Sequence, residues 1–169
     1  MTTFDFALTD DTASPRRTTA GPRLRELTYR YSPKKTLAGD CIRLDAAMSR
    51  PCVVASVLMP ILRDEAVEVF GVLCLTTKQR IICWHEVSRG SLDSTLAHPR
   101  EIFKAAILAN AAAVIVAHNH PSGDPTPSAD DVELTRRLAA AGTLMGIEVL
   151  DHIVIGDESF VSFRQTGKL

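Results

Sequence analysis

The chain has 169 residues, of which 46% are apolar and 23% charged, with a formal net charge of −1. That length buries a core without disulfide or metal staples, and the composition is that of an ordinary soluble globular protein. No apolar run approaches the length of a membrane span, and Met1-Thr2-Thr3-Phe4-Asp5 has no basic start or apolar stretch, so neither a membrane protein nor a secretory signal is expected. Cys41, Cys52, Cys74 and Cys83 form no C-x-x-C pair, and the expected compartment is a reducing cytoplasm.

Taken in order, the chain begins with an uneven charge distribution. Asp5, Asp10 and Asp11 stand without a base, whereas residues 15–35 carry Arg16, Arg17, Arg23, Arg25, Arg30, Lys34 and Lys35 against Glu26. With Tyr29 and Tyr31 interleaved, that segment could follow a nucleic-acid backbone and stack on bases. A solvated, poorly ordered tail is the simpler expectation, because Pro, Thr and Arg dominate and no apolar period is present. Residues 1–45 are thus expected to form a basic N-terminal segment and 46–169 a folded domain.

Pro51 suits a first helical position, and Cys52–Met59 is predicted as a short helix that Pro60 kinks or ends. Val67–Leu75 reads as a strand apolar on both faces, hence central in a sheet. Glu68 is out of place there. Burying a carboxylate costs several kcal/mol unless it is paired or protonated, which makes Glu68 a functional candidate; a strand-edge glutamate still in water, following Asp64 and Glu65, is the equal alternative. Ile81–Trp84 is predicted as a second strand, antiparallel to the first, with Trp84 in the core or covering the sheet. Cys74 and Cys83 lie in these apolar runs as small buried hydrophobes. His85 and His98 lack partners at useful spacing and are expected at the surface.

Pro99 opens a helix whose stripe of Ile102, Ala105, Ala106 and Ala109 packs on the sheet, and Asn110 reads as its C-terminal residue. Ala111–Val116 is a small and β-branched run of the kind a buried strand uses, giving a strand, helix, strand order typical of α/β folds. His118 and His120 fall where this strand ends, and their spacing of two points both imidazoles to one face. A Pro- and Gly-rich loop follows. Ser128 then opens a helix with Asp131 in its first turn, Leu134, Leu138, Ala141 and Met145 on one face, a Glu133–Arg137 pair on the other, and Gly146 as its stop. Val149–Ile155 is a further strand, and Phe160–Phe163 a short last one.

Two imidazoles and a carboxylate can converge from a strand end and a helix start. Three ligands of mixed N and O type, with a fourth position for water, describe a catalytic zinc site. Histidines two apart are also common at surfaces, and Ser128-x-x-Asp131 is a capping box with Asp in place of Glu. The cap and the ligand reading of Asp131 are compatible. Asp151 and His152, polar groups in an apolar strand, could hydrogen-bond the zinc ligands from behind, although a bond between strands is the simpler account.

These residues carry a resemblance. His118-x-His120, seven residues, Ser128, two residues and Asp131 resembles the JAMM (MPN) metalloprotease signature, H-x-H-x7-S-x2-D. Pro99-Arg100-Glu101-Ile102-Phe103-Lys104, Ala117-His118-Asn119-His120-Pro121-Ser122-Gly123, Pro127-Ser128 and Asp151-His152-Ile153-Val154-Ile155-Gly156 resemble the RadC family from about Arg50 to the C-terminus. The resemblance implies a cytidine-deaminase-like α/β/α fold of three layers with a mixed sheet, one zinc per chain, and an upstream glutamate as acid/base. Glu68-Val69-Phe70 matches the family's E-x-F string, with Glu65 as fallback, and the polar link from Ser88 to Asp93 matches a loop near the active site. RadC proteins also carry an N-terminal helix-hairpin-helix region, whose Gly-rich hairpins residues 1–45 do not show.

The implied activity is zinc-dependent hydrolysis of an amide or isopeptide bond in a protein or peptide substrate. His118, His120 and Asp131 would hold the metal, Glu68 would move the proton, and Ser128 would hydrogen-bond the oxyanion. Three rivals stand beside it. A zinc nucleobase deaminase needs H-x-E with P-C-x-x-C, which this chain lacks. A DNA-associated RadC-like protein without hydrolytic activity would use residues 15–35 for phosphate contacts. An MPN scaffold would bind a partner with no need for an intact ligand set. Uncovered sheet edges would permit a homodimer.

Overall fold

A computed structural model describes residues 47–90 and 97–169. The basic segment 15–35 and the rest of the expected N-terminal region lie outside the described residues, as does the second half of the Ser88–Asp93 link, residues 91–93. The elements are α1 (Pro51–Leu62), β1 (Val69–Leu75), β2 (Ile81–Arg89), α2 (Pro99–Leu108), β3 (Ala113–Asn119), α3 (Ala129–Met145), β4 (Glu148–Ile155) and β5 (Phe160–Ser162).

The strands form one mixed sheet in the order β2-β1-β3-β4-β5. β1 runs antiparallel to β2 and β3, β3 is parallel to β4, and β5 closes the far edge antiparallel to β4. Alternation along β1 and β3 sends Val69, Leu73, Ile115 and Ala117 into a core with Val54, Leu58 and Leu62 of α1. Phe70, Val72, Val114 and Val116 enter a second core with Ile102, Phe103 and Ala106 of α2 and Leu134 and Leu138 of α3. The fold is therefore α/β in three layers, as expected. Fully burying a side chain such as Phe103 or Leu138 contributes roughly 1.5–3 kcal/mol, so two cores of this kind hold β1, β3 and β4 rigidly between them.

Several boundaries differ from the sequence reading. Helix α1 does not stop at Pro60 but runs on to Leu62, whose side chain is fully buried; packing of that last turn outweighs the one hydrogen bond a proline removes. Strand β1 begins at Val69, two residues late, so Glu68 precedes the strand and is exposed. Strand β2 extends to Arg89 because it pairs with β1 along its whole length, Val69 opposite Arg89. On α3, Glu133 pairs with Arg136 at 2.7 Å, one residue short of the expected Arg137. Met145 is exposed, beyond the reach of the core.

Other expectations hold. Asn110 follows the α2 C-cap with φ 50°, and Gly146 ends α3 in the left-handed region with φ 68°. Trp84 packs against the α1-side core, and His85 is exposed. His98 is also exposed, but its Nδ1 accepts the Arg100 N–H at 3.2 Å and so caps α2. No helix among the described residues is long and apolar enough to cross a membrane.

Candidate metal centre

Even-numbered residues of β3 face α2 and α3, which puts His118 and, one step past the strand, His120 on that side. The β3–β4 pairing carries on through the His120 N–H, which donates to the Ile155 carbonyl at 2.9 Å. The chain then reverses. The Gly123 N–H donates to His120 O at 2.9 Å with Gly123 at φ 82°, and Asp124 Oδ1 accepts the Thr126 N–H at 2.9 Å. This loop returns the chain to Ser128, the N-cap of α3.

Asp131 then meets the histidines. Its Oδ1 lies 3.3 Å from His118 Nε2 and its Oδ2 3.7 Å from His120 Nε2, and the two Nε2 atoms are 3.0 Å apart. The three side chains offer ligand atoms that all lie within 4.8 Å of one another, the one such group of three or more among the described residues. His118 is fully buried, whereas His120 and Asp131 keep a narrow opening to solvent.

The donor set suits a cation. His120 Nδ1 lies 2.7 Å from the Asp124 carbonyl, which can only accept, so Nδ1 carries a proton, and in the neutral ring it is Nε2 that presents a lone pair to the cluster. Burial alone would raise the Asp131 carboxyl. The neighbouring His118 and His120 imidazoles and the Ser128 hydroxyl outweigh it and hold the group well below the usual carboxylate range, so Asp131 is an anion. The same carboxylate raises His120, against the opposing effect of burial. Two imidazole nitrogens and one carboxylate oxygen, with no protein cation among them, could hold a divalent metal ion.

Ser128 and Asp131 form the expected capping box. The Ser128 hydroxyl accepts the Asp131 N–H at 3.1 Å, and Asp131 Oδ2 accepts both the Ser128 N–H and its hydroxyl proton at 2.7 Å. Cap and cluster coincide because the cap occupies Oδ2 and leaves Oδ1 facing His118.

Behind the cluster lies a contact that spacing did not disclose. His152 on β4 is fully buried, with Nε2 2.8 Å from His118 Nδ1 and Nδ1 2.6 Å from Thr135 Oγ1. Burial pushes its imidazole well down, aided by His118, so it is neutral. It is thus both a bond between strands and a partner of a candidate ligand. Phe70 stacks on His118 at 5.8 Å and Phe163 on His152 at 4.6 Å between ring centroids. Asp151 points elsewhere, accepting the Ser162 hydroxyl at 2.6 Å and the Arg164 N–H at 3.0 Å. Thr135 escaped sequence reasoning, although it stands four residues after Asp131 on the same helix face.

Glu68 sits at the mouth. Phe70 pairs with His118, so carrying the antiparallel register two residues further sets Glu68 across from His120. Its charge contributes to the raised His120. The Glu65 carboxylate is held by Arg89, which donates to Oε1 at 3.0 Å, so the fallback carboxylate is engaged in an ion pair. Asn119, between the histidines, faces the other way and binds Val69 N–H at 2.8 Å, the Val67 carbonyl at 3.1 Å and the Glu65 carbonyl at 3.2 Å.

Residues 48–168 match the RadC-like JAB domain. The chain belongs to that family. A UPF0758 protein of Symbiobacterium thermophilum is 50% identical over 122 residues, 72% of this chain and 52% of the relative. A UPF0758 protein of Clostridium perfringens is 48% identical over 118 residues, 70% of this chain and 52% of the relative. One of Geotalea uraniireducens is 52% identical over 107 residues, 63% of this chain and 47% of the relative. The chain spans about half the length of these curated relatives. The matched region contains the whole candidate centre, from Glu68 to His152.

Proposed function

We propose that this RadC-like domain is a zinc-dependent hydrolase that cleaves an amide or isopeptide bond in a protein or peptide. The observation that carries the reading is the convergence of His118 Nε2, His120 Nε2 and Asp131 Oδ1 beside a solvent-facing glutamate. His118, His120 and Asp131 would hold the ion. When bound, zinc supplies Lewis acidity, bringing the pKa of water towards neutrality and polarising a carbonyl. Glu68, exposed beside the cluster, would accept a proton from the attacking water and return it to the leaving amine. Ser128 donates its hydroxyl proton to Asp131 in the resting arrangement; as the oxyanion forms, that proton turns to the substrate oxygen, a contribution of about 3 kcal/mol for one donor. The Phe70 ring and the buried floor keep bulk water from the inner side of His118.

The test is metal content by mass spectrometry on protein purified without added metal, followed by hydrolysis of amide and isopeptide substrates. Near-stoichiometric zinc is expected in the wild type and none in His118→Ala or Asp131→Ala. Glu68→Gln keeps zinc and loses hydrolysis, and His120→Ala loses both. A metal-free His120→Ala that still hydrolyses would sink the reading.

A further inference from the structure

The hydroxyl of Thr135 touches two groups at the same distance. Its Oγ1 is 2.6 Å from the Asp131 carbonyl oxygen, one helical turn back, and 2.6 Å from His152 Nδ1. A hydroxyl has one proton. Two oxygens 2.6 Å apart repel unless that proton lies between them, and a carbonyl oxygen can only accept, so Thr135 donates to Asp131. His152 Nδ1 must then be the donor to Thr135. A neutral imidazole has no second proton, so His152 Nε2 is an acceptor. His118 Nδ1, 2.8 Å away, must donate to it. His118 is thereby left with its lone pair on Nε2, the atom facing His120 and Asp131.

We infer that Thr135 and His152 are positioning residues that lock His118 in the Nδ1–H tautomer, so that its Nε2 lone pair is aimed at the cation. This deepens the metal reading proposed above and rests on it. The relay starts at the main chain of one ligand, Asp131, and ends at the ring of another, His118, so α3, β4 and β3 are tied into one unit around the centre. The polarity has one direction because its end, a backbone carbonyl, cannot be reversed. His120 is set independently by the Asp124 carbonyl, so loss of the relay should disturb one ligand and leave the other.

The experiment uses the full chain, with Thr135→Val as a near-isosteric variant lacking the hydroxyl and Thr135→Ser as a variant that keeps it. Zinc affinity is measured by competition with a chromophoric chelator, and the His118 tautomer by nitrogen-15 imidazole spectra of the metal-free protein at neutral pH. The wild type and Thr135→Ser should show His118 as Nδ1–H and bind zinc alike. Thr135→Val should show a mixed tautomer and bind zinc roughly 10–100-fold more weakly, the usual effect of losing a partner behind a metal ligand. His152→Gln, if it folds, should show the same loss. Equal zinc affinity in wild type and Thr135→Val, or an Nε2–H tautomer in the wild type, overturns the relay and leaves the metal reading intact. If the wild type takes up no zinc while Thr135→Val still shifts the tautomer, the metal reading falls and the relay stands.

Discussion

The side-chain oxygen of Asn119 accepts the Val69 N–H at 2.8 Å, joining the residue between the two clustered histidines to the residue that follows Glu68. Asn119 is 2% exposed, and its amide protons serve the Glu65 and Val67 carbonyls. One residue thus uses three of its four side-chain hydrogen-bonding positions to hold the segment that carries the candidate base. In Asn119→Ala the Val69 N–H is left buried and unmet, which should cost about 1–3 kcal/mol in urea unfolding. Zinc content should not change, because the ligands lie on the other face of β3. Wild-type stability in Asn119→Ala would show that the clamp contributes nothing.

Gly156 supports the loop that carries His120. A Cβ at this position would lie 2.2 Å from the Gly123 carbonyl oxygen and 2.8 Å from Pro125 Cδ. Both belong to the loop between His120 and Ser128, so Gly156→Ala must push it outward and stretch the bond from His120 Nδ1 to Asp124. Overpacking of this kind costs roughly 1–3 kcal/mol, and zinc affinity should fall by about tenfold or more. The combined check is a thermal melt and a chelator competition; unchanged affinity would mean the loop yields without moving His120.

Metal binding should stabilise the fold. The donor atoms come from β3, the loop after it and α3, elements that separate on unfolding, so a ligand for the folded state alone adds RT ln(1 + [L]/Kd). At free zinc a hundredfold above Kd this is about 2.7 kcal/mol. The melting temperature should rise with zinc, fall back with a chelator, and stay put in His120→Ala. A zinc-dependent rise in His120→Ala would place the ion elsewhere.

Cys74 and Cys83 face each other across β1 and β2. The neighbouring Cys74 thiol lowers Cys83 to about 7 against the opposing effect of burial, while Cys74 itself is raised. The reactive species is the thiolate, whose fraction at Cys83 grows as pH rises through that value. Alkylation of Cys83 should therefore reach half its limiting rate near neutral pH. Cys74→Ala removes that neighbour and should move the profile upward; an unmoved profile would dismiss Cys74 as its cause.

Much of the centre was legible because it is local. The spacing His118-x-His120 determines a shared strand face, and Ser128-x-x-Asp131 determines a cap, whatever else surrounds them. The apolar runs determined which strands are central, and the family resemblance implied the helices on both faces. Glu68 was harder. Its neighbours left a buried strand residue and a strand-edge glutamate in water equally open, and β1 starts at Val69 and leaves it exposed, because where a strand begins depends on its partners.

What only the tertiary structure decided is which distant residues meet. Spacing says how one element presents its own side chains, not which strand lies next to it. The antiparallel pairing of β1 with β3 brings Glu68 towards His120 across 52 positions, and the parallel pairing of β3 with β4 brings His152 to His118 across 34. The sequence by itself determined three candidate ligands and the faces they occupy. The sheet order determined which glutamate lies across from His120 and which groups stand behind His118, because register between strands is set by the packing of two whole cores and not by any one segment.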